Sequence, residues 1–336
     1  MTRQANQRLR GYTLIEVLVV TAVLGLVVSY VMETLSDQRR THAVVEQVTE
    51  TQQNLRLIAD LVEREIRLAG YMVPPSAAAC GRDASDAPDT FYVSAADAIR
   101  TIQDLESIDP ALVQGGLGVP VGAFPLGAIS STNDVLVPLT RRYVDVAADG
   151  DDFSAGAGLI LVDRNDAEGV VACGRIIAPI PSGSTPQLTV DFEVNNLSVA
   201  SGADLVAIPA HVYRVVAVSP NSPSQLFRDN ALLASDVEDL QIVYYFDDDD
   251  DRVVDAGELY GDAGGPTYPP SSATRYHQLI DIRLNVVLTT RDDDPDRDFT
   301  LMKGQPTANR TLESVPGPDR RRRRVHQSLI RLRNLG

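Results

Sequence analysis

The pattern of apolar and polar positions changes character along the chain. Between Tyr12 and Met32 the only charged side chain is Glu16. A run of about 20 apolar residues is what a helix needs to cross a bilayer, so residues 12–32 predict a membrane-spanning segment. From Glu33 the sequence turns polar without ceasing to read as helix. Val44, Val48, Leu55, Ile58, Val62, Ile66 and Ala69 recur at three- and four-residue steps, which sets one apolar stripe on a helix. No proline occurs in this stretch before Pro74. Gly70 is suited to end the helix, with Pro74 and Pro75 close behind. Residues 33–70 are therefore expected to be the amphipathic half of one helix of about 55 residues, about 80 Å long at 1.5 Å per residue.

Beyond residue 71 the period shortens to two. Strands are expected at Val135 to Val137, Leu159 to Val162, Val170 to Ile177, Leu188 to Val194 and His211 to Val218, divided by Gly, Pro, Asn and Asp. Leu240 to Phe246 puts Leu, Ile, Tyr and Phe on one face, Ile280 to Leu288 repeats the pattern with Asp281, Arg283 and Asn285 opposite, and Ser328 to Arg333 is the last strand expected. Ala96 to Ile108 reads as a short helix, and Gly115 to Gly127 as loop. The class expected is α+β: a long N-terminal helix packed on an antiparallel, β-rich head over residues 71–336.

Charge adds a direction. Arg3, Arg8 and Arg10 precede the apolar run, and basic residues before a span stay in the cytoplasm, so the head is expected outside it. A secretory signal would end in a small-residue cleavage site after the apolar core. Here the helix pattern runs on past Ser29, and Gly11, the one glycine at the leader boundary, lies before the core. A lone carboxylate in such a segment costs about 2.5–3.5 kcal/mol on insertion scales. Glu16 therefore asks for a function. At a net charge of −16 the body is a poor partner for nucleic acid, and none is expected. In an exported head, Cys80 and Cys173 read as one disulfide, closing a loop of about 90 residues ideally worth about 4–5 kcal/mol; two buried thiols are the alternative.

A second candidate site is acidic. Counted as a twelve-position loop from Asp247, carboxylates fall at Asp247, Asp249, Asp251, Asp255 and Glu258, with Val253 placed to offer a carbonyl. That spacing suits Ca2+, a hard cation that takes oxygen ligands. Arg252 stands where the helix–loop–helix calcium motif has Gly, and a strand precedes the loop, so a calcium turn at a hairpin and a plain solvated hairpin both remain open. Asp292, Asp293, Asp294, Asp296 and Asp298 lack the spacing and read as solvated loop. The run Arg320 to Arg324 suits an anionic lipid, DNA or acidic partner, or neutralisation of the chain's own Asp clusters; the last, or a partner subunit, is favoured. His42, His211, His277 and His326 are scattered, and no hydrolase, zinc or nucleotide motif occurs, so no enzyme is expected.

The stretch Gly11-Tyr12-Thr13-Leu14-Ile15-Glu16-Val17 resembles the processing signal of type IV prepilins. In that family a basic leader ends in Gly, an aromatic residue follows, and Glu stands fifth before an apolar helix. The resemblance implies that a prepilin peptidase removes residues 1–11 and methylates the new amine of Tyr12, and that Glu16 pairs with a neighbouring subunit's terminal amine. Arg64 to Tyr71, Val237 to Tyr245, Ile282 to Leu288 and Ile330 to Asn334 resemble the PilW-like minor pilins and the related J-type pseudopilins of type II secretion. That resemblance implies a pilin-like fold and partners among other minor pilins, the major pilin and the inner-membrane assembly machinery. It implies residence in the inner membrane and then the filament, with adhesion or twitching motility as outcomes. A head of this size suits an end of the filament better than its repeating body. A type II secretion pseudopilin, and a permanently anchored surface module binding calcium or another ligand, are the alternatives.

Overall fold

Apolar periodicity carries one helix through most of the first 70 residues: α1 spans Leu14–Leu68. In the computed structural model the described residues are 12–71, 73–95, 119–120, 135–138, 153–163, 170–180, 187–195, 205–217, 224–247, 249, 251, 253–266, 268, 278–294, 308–310 and 320–334. The short helix expected at Ala96 to Ile108 and the loop at Gly115 to Gly127 lie outside them, apart from residues 119 and 120. The chain divides into two units, residues 1–50 and 51–336.

In the first unit α1 is exposed along its whole apolar stretch, and it is long and apolar enough to cross a membrane. Its Thr21, Ser29 and Thr34 hydroxyls are bonded to the helix itself. Thr21 donates to the Val17 carbonyl at 3.0 Å, Ser29 to Gly25 at 2.9 Å and Thr34 to Tyr30 at 3.0 Å. Bonds of this kind keep serine and threonine hydroxyls satisfied where no water is present.

In the second unit the rest of α1 turns Leu55, Ile58, Val62 and Ile66 into the core, as the stripe predicts. Gly70 ends it in the left-handed region at φ 79°, where a side chain would be strained. The head has two antiparallel sheets. The ten-stranded sheet runs β1 (Ala79–Arg82), β2 (Thr90–Val93), β8 (Leu205–Val216), β5 (Gly158–Asp163), β6 (Val170–Ile180), β7 (Gln187–Asn195), β4 (Val135–Pro138). β3 (Val119–Pro120) and β9 (Gln225–Arg228) also pair with β8, and β10 (Ala231–Ser235) pairs with β9. The four-stranded sheet is ordered β12 (Leu259–Tyr260), β11 (Val237–Phe246), β13 (Leu279–Thr289), β14 (Arg323–Arg331).

Aromatic rings join the two sheets. Phe91 on β2 stacks on Tyr213 of β8 with centroids 6.5 Å apart and lies 6.3 Å from Tyr244 of β11. Tyr244 in turn stacks on Tyr268 at 3.7 Å. Gly81 permits this approach, because a Cβ there would run into the Tyr244 hydroxyl and the Thr90 carbonyl. The expected disulfide is present: Cys80 on β1 is bonded to Cys173 on β6.

Two expectations change. His211 to Val218 marked only the end of β8, whose first half, Leu205 to Ala210, is buried throughout and so lacks alternation. β14 begins at Arg323, five residues before the expected Ser328, because Arg323 and Arg324 at the end of the basic run are laddered against β13.

Candidate functional site

The first site is the start of α1. Thr13 closes the helix N-terminus together with Glu16. The Glu16 backbone N–H donates to Thr13 Oγ1 at 3.3 Å, and the Thr13 N–H donates to Glu16 Oε2 at 3.3 Å. This reciprocal capping box meets two of the donors that a helix start leaves open. The sequence carries it as Thr-x-x-Glu, beside an apolar run in which Glu16 stands out as a lone charge. Thr13 therefore joins the candidate residues. The carboxylate sits at the positive end of the helix dipole, where a negative charge is favoured. Tyr12 is 86 % exposed, and Leu14 and Ile15 beside it are exposed as well. Gly11 lies outside the described residues.

The second site is the hairpin from β11 to β12. Tyr244 pairs with Tyr260 and Tyr245 with Leu259. The two ends of the acidic loop are thereby brought together, so that one carboxylate oxygen each from Asp247, Asp249 and Glu258 lies within 4.8 Å of the others. Asp247 and Glu258 are buried and Asp249 is exposed. The other residues of the expected set are used differently. The Asp251 side chain accepts the Val253 N–H at 2.7 Å, and its own N–H donates to Asp247 Oδ1 at 3.0 Å. Asp255 caps a short 3-10 turn over Ala256–Glu258, donating its N–H to Glu258 Oε2 at 2.7 Å. Three of the six residues therefore converge, at positions 1, 3 and 12 of the count, while Asp251, Val253 and Asp255 shape the turn.

A third group ties α1 to the sheets. Glu65 is buried and accepts hydrogen bonds from the Tyr213 hydroxyl and from Arg228, whose Nη2 is 2.6 Å from Oε1. Burial pushes the Tyr213 phenol far above its ordinary range, and the Glu65 charge pushes it the same way. Burial acts to lower the Arg228 guanidinium, but Glu65 and its neighbours hold it above its usual value. Two residues earlier, Glu63 Oε1 lies 3.1 Å from His326 Nε2 on β14. Burial acts to raise the Glu63 carboxyl, yet the bond with His326 and the charge of Arg67 hold it below its usual range. The sequence pattern identified neither glutamate.

Elsewhere the charges close on themselves. Arg321 lies 3.5 Å from Asp293, Arg322 is 2.6 Å from Asp294, and Arg323 binds both Glu238 oxygens at 2.6 and 2.8 Å. The central arginines of the basic run are thus answered within the chain. Asp294 is buried rather than solvated, because Arg322 covers it; Asp296 and Asp298 lie outside the described residues. Asp89 is buried where the turn between β1 and β2 meets β11, accepting the Ala84 and Ile242 N–H groups at 2.9 and 2.8 Å. Burial, with the charges of Asp83 and Asp239 nearby, pushes its carboxyl up to about 8.

Two family models match the chain. That of the type IV pilus-assembly protein W covers residues 212–334, from the end of β8 to just past β14, and that of the prokaryotic N-terminal methylation motif covers residues 6–32. No curated protein and no solved structure matches. The methylation-motif match spans the capped start of α1 and all of its membrane-length stretch. The other spans the acidic hairpin and both outer strands of the four-stranded sheet.

Proposed function

We propose, from the prepilin-like minor-pilin character that these two matches support, that the chain is a subunit made to be processed and then assembled. A prepilin peptidase cuts between Gly11 and Tyr12 and methylates the Tyr12 amine. Residues 12–32 hold the protein in the inner membrane with the head outside the cytoplasm, and then pass into the core of a type IV pilus. Residues 33–70 carry the head, which is 71–336. The observation that carries this reading is the exposure of the whole apolar stretch behind a methylation motif. In water such a surface is unstable; packed among like helices it is buried.

Glu16 supplies the specificity. Its carboxylate faces a free amine on a neighbouring subunit, and an amine with pKa near 7.7–8.0 is largely protonated at neutral pH. Pairing in the filament offsets the desolvation that Glu16 bears alone in the bilayer. The self-capping by Thr13 lowers that burden meanwhile and holds the carboxylate at the helix end. The other pilins and the assembly machinery are the partners. A place at the filament tip, with adhesion or twitching as the result, follows from the bulk of the head.

Glu16→Ala tests the pairing. The variant is expected to insert and be processed but not to enter filaments; wild-type piliation in that strain would contradict the role.

The convergence of Asp247, Asp249 and Glu258 favours one further reading, a Ca2+ ion tying the β11–β12 hairpin. Asp251, Val253 and Asp255 then act by shaping the turn.

A further inference from the structure

Edges of sheets are where strands from other chains attach, and this protein blunts its edges unequally. β1 and β4 are four residues each, β4 ending in Pro138, while β10 has five residues and β12 two. Short or proline-bearing edges discourage pairing. β14 is the exception. It has nine residues, contains no proline, keeps unbroken register with β13 from Arg323 to Arg331, and ends its sheet among the described residues.

The register fixes which backbone groups it offers. The Leu332 N–H donates to Ile280, and the Arg322 carbonyl accepts from Thr290. Antiparallel pairing alternates, so the even-numbered residues between them face β13. Val325, Gln327, Leu329 and Arg331 then direct their N–H and C=O groups away from the sheet. The side chains of Val325 and Leu329 on this outer row are 47 % and 57 % exposed. The five residues Val325 to Leu329 carry no fixed charge. Arginines stand at both ends of the row: Arg324 and Arg333 are exposed with no ion pair among the described residues, and Arg331 is largely exposed 3.5 Å from Asp281. In a chain of net charge −16, a basic-ended, apolar-centred edge is a local reversal of sign.

We propose that the outer edge of β14 receives an extended, acidic strand from a neighbouring filament subunit. Backbone pairing runs along Val325 to Arg331. Apolar side chains of the incoming strand lie on Val325 and Leu329, and its carboxylates reach Arg324 at one end and Arg331 and Arg333 at the other. Main-chain bonds supply the attachment and the alternate side chains select the partner. This rests on the assembly reading above.

The test is photocrosslinking of the full chain in its own cells, with p-benzoylphenylalanine in place of Gln327. An adduct to another subunit is expected, whose crosslinked peptide is acidic and extended by tandem mass spectrometry. Adding Leu329→Pro, at an N–H that points away from β13, should cut the adduct at least about tenfold, the effect of removing about 1.4 kcal/mol of pairing. Arg324→Glu with Arg333→Glu should cut it similarly without touching the ladder, which keeps the test open if the proline variant folds poorly. No adduct, a crosslinked peptide without carboxylates, or an adduct indifferent to all these changes overturns the proposal. If the chain is processed and enters filaments in those cells, the edge alone falls; if it is neither processed nor incorporated, the assembly reading falls with it.

Discussion

Arg228 on β9 reaches the Glu65 carboxylate on α1 at 2.6 Å, so a buried charge on the helix is met by a charge from the sheet. Both groups are largely out of water, and removing either leaves the other uncompensated. Glu65→Ala is expected to destabilise the head by about 3–5 kcal/mol, the usual cost of breaking a buried pair. Arg228→Ala should behave alike, and the double variant should cost less than the sum of the two. Urea titration of the detergent-solubilised chain measures this. A loss below about 1 kcal/mol for Glu65→Ala, the worth of an exposed pair, would show that the pair does not hold the helix.

The Asp89 carboxyl gives stability a dependence on pH. Its folded pKa, about 8, lies above the ordinary value of 3.8. Between those values the folded state binds more protons than the unfolded one, so this group's contribution falls as pH rises from about 4 to about 8. Glu63 acts oppositely, since its folded value is lowered: its contribution is present above the usual value of 4.5 and is lost as pH falls through the lowered one. Asp89→Asn should flatten the decline on the neutral side and leave the acid limb unchanged. An unaltered slope between pH 6 and 8 would show that Asp89 is ionised in the fold.

Calcium should raise the melting temperature of the chain. Asp247→Asn combined with Glu258→Gln should abolish the rise, because these groups converge with Asp249. Asp251→Ala should keep it, since that side chain accepts the Val253 N–H instead. A rise that survives the first pair of changes would place the ion elsewhere.

The disulfide spans 93 residues of sequence. Replacing both Cys80 and Cys173 by Ser should lower stability by about 4–5 kcal/mol on the chain-entropy account. A loss under about 1 kcal/mol would mean that the unfolded chain is already constrained there.

What could be read in the sequence was what has a short period. The α1 stripe and the alternating β11 and β13 announce themselves, since a helix or a half-buried strand repeats every few residues. β1, β2, β9, β10 and β12 did not, because two to five residues carry too little pattern and their pairing comes from elsewhere in the chain. The contact of Glu65 with Tyr213 joins residues 148 apart in sequence, and no local pattern encodes it. The basic run was ambiguous for the same reason: nothing local shows that Arg323 is answered by Glu238, 85 residues away. Thr13 is different. Its capping box was local and legible, and the apolar run beside it drew attention away.

The account stands most directly on the N-terminus of the mature protein. Intact mass and N-terminal sequencing of the chain recovered from filaments or membranes should show a first residue of N-methylated Tyr12, with residues 1–11 gone. A chain that keeps its leader, or one cut after the apolar stretch near Met32, would contradict it, because Glu16 would then have no fixed place relative to a free amine.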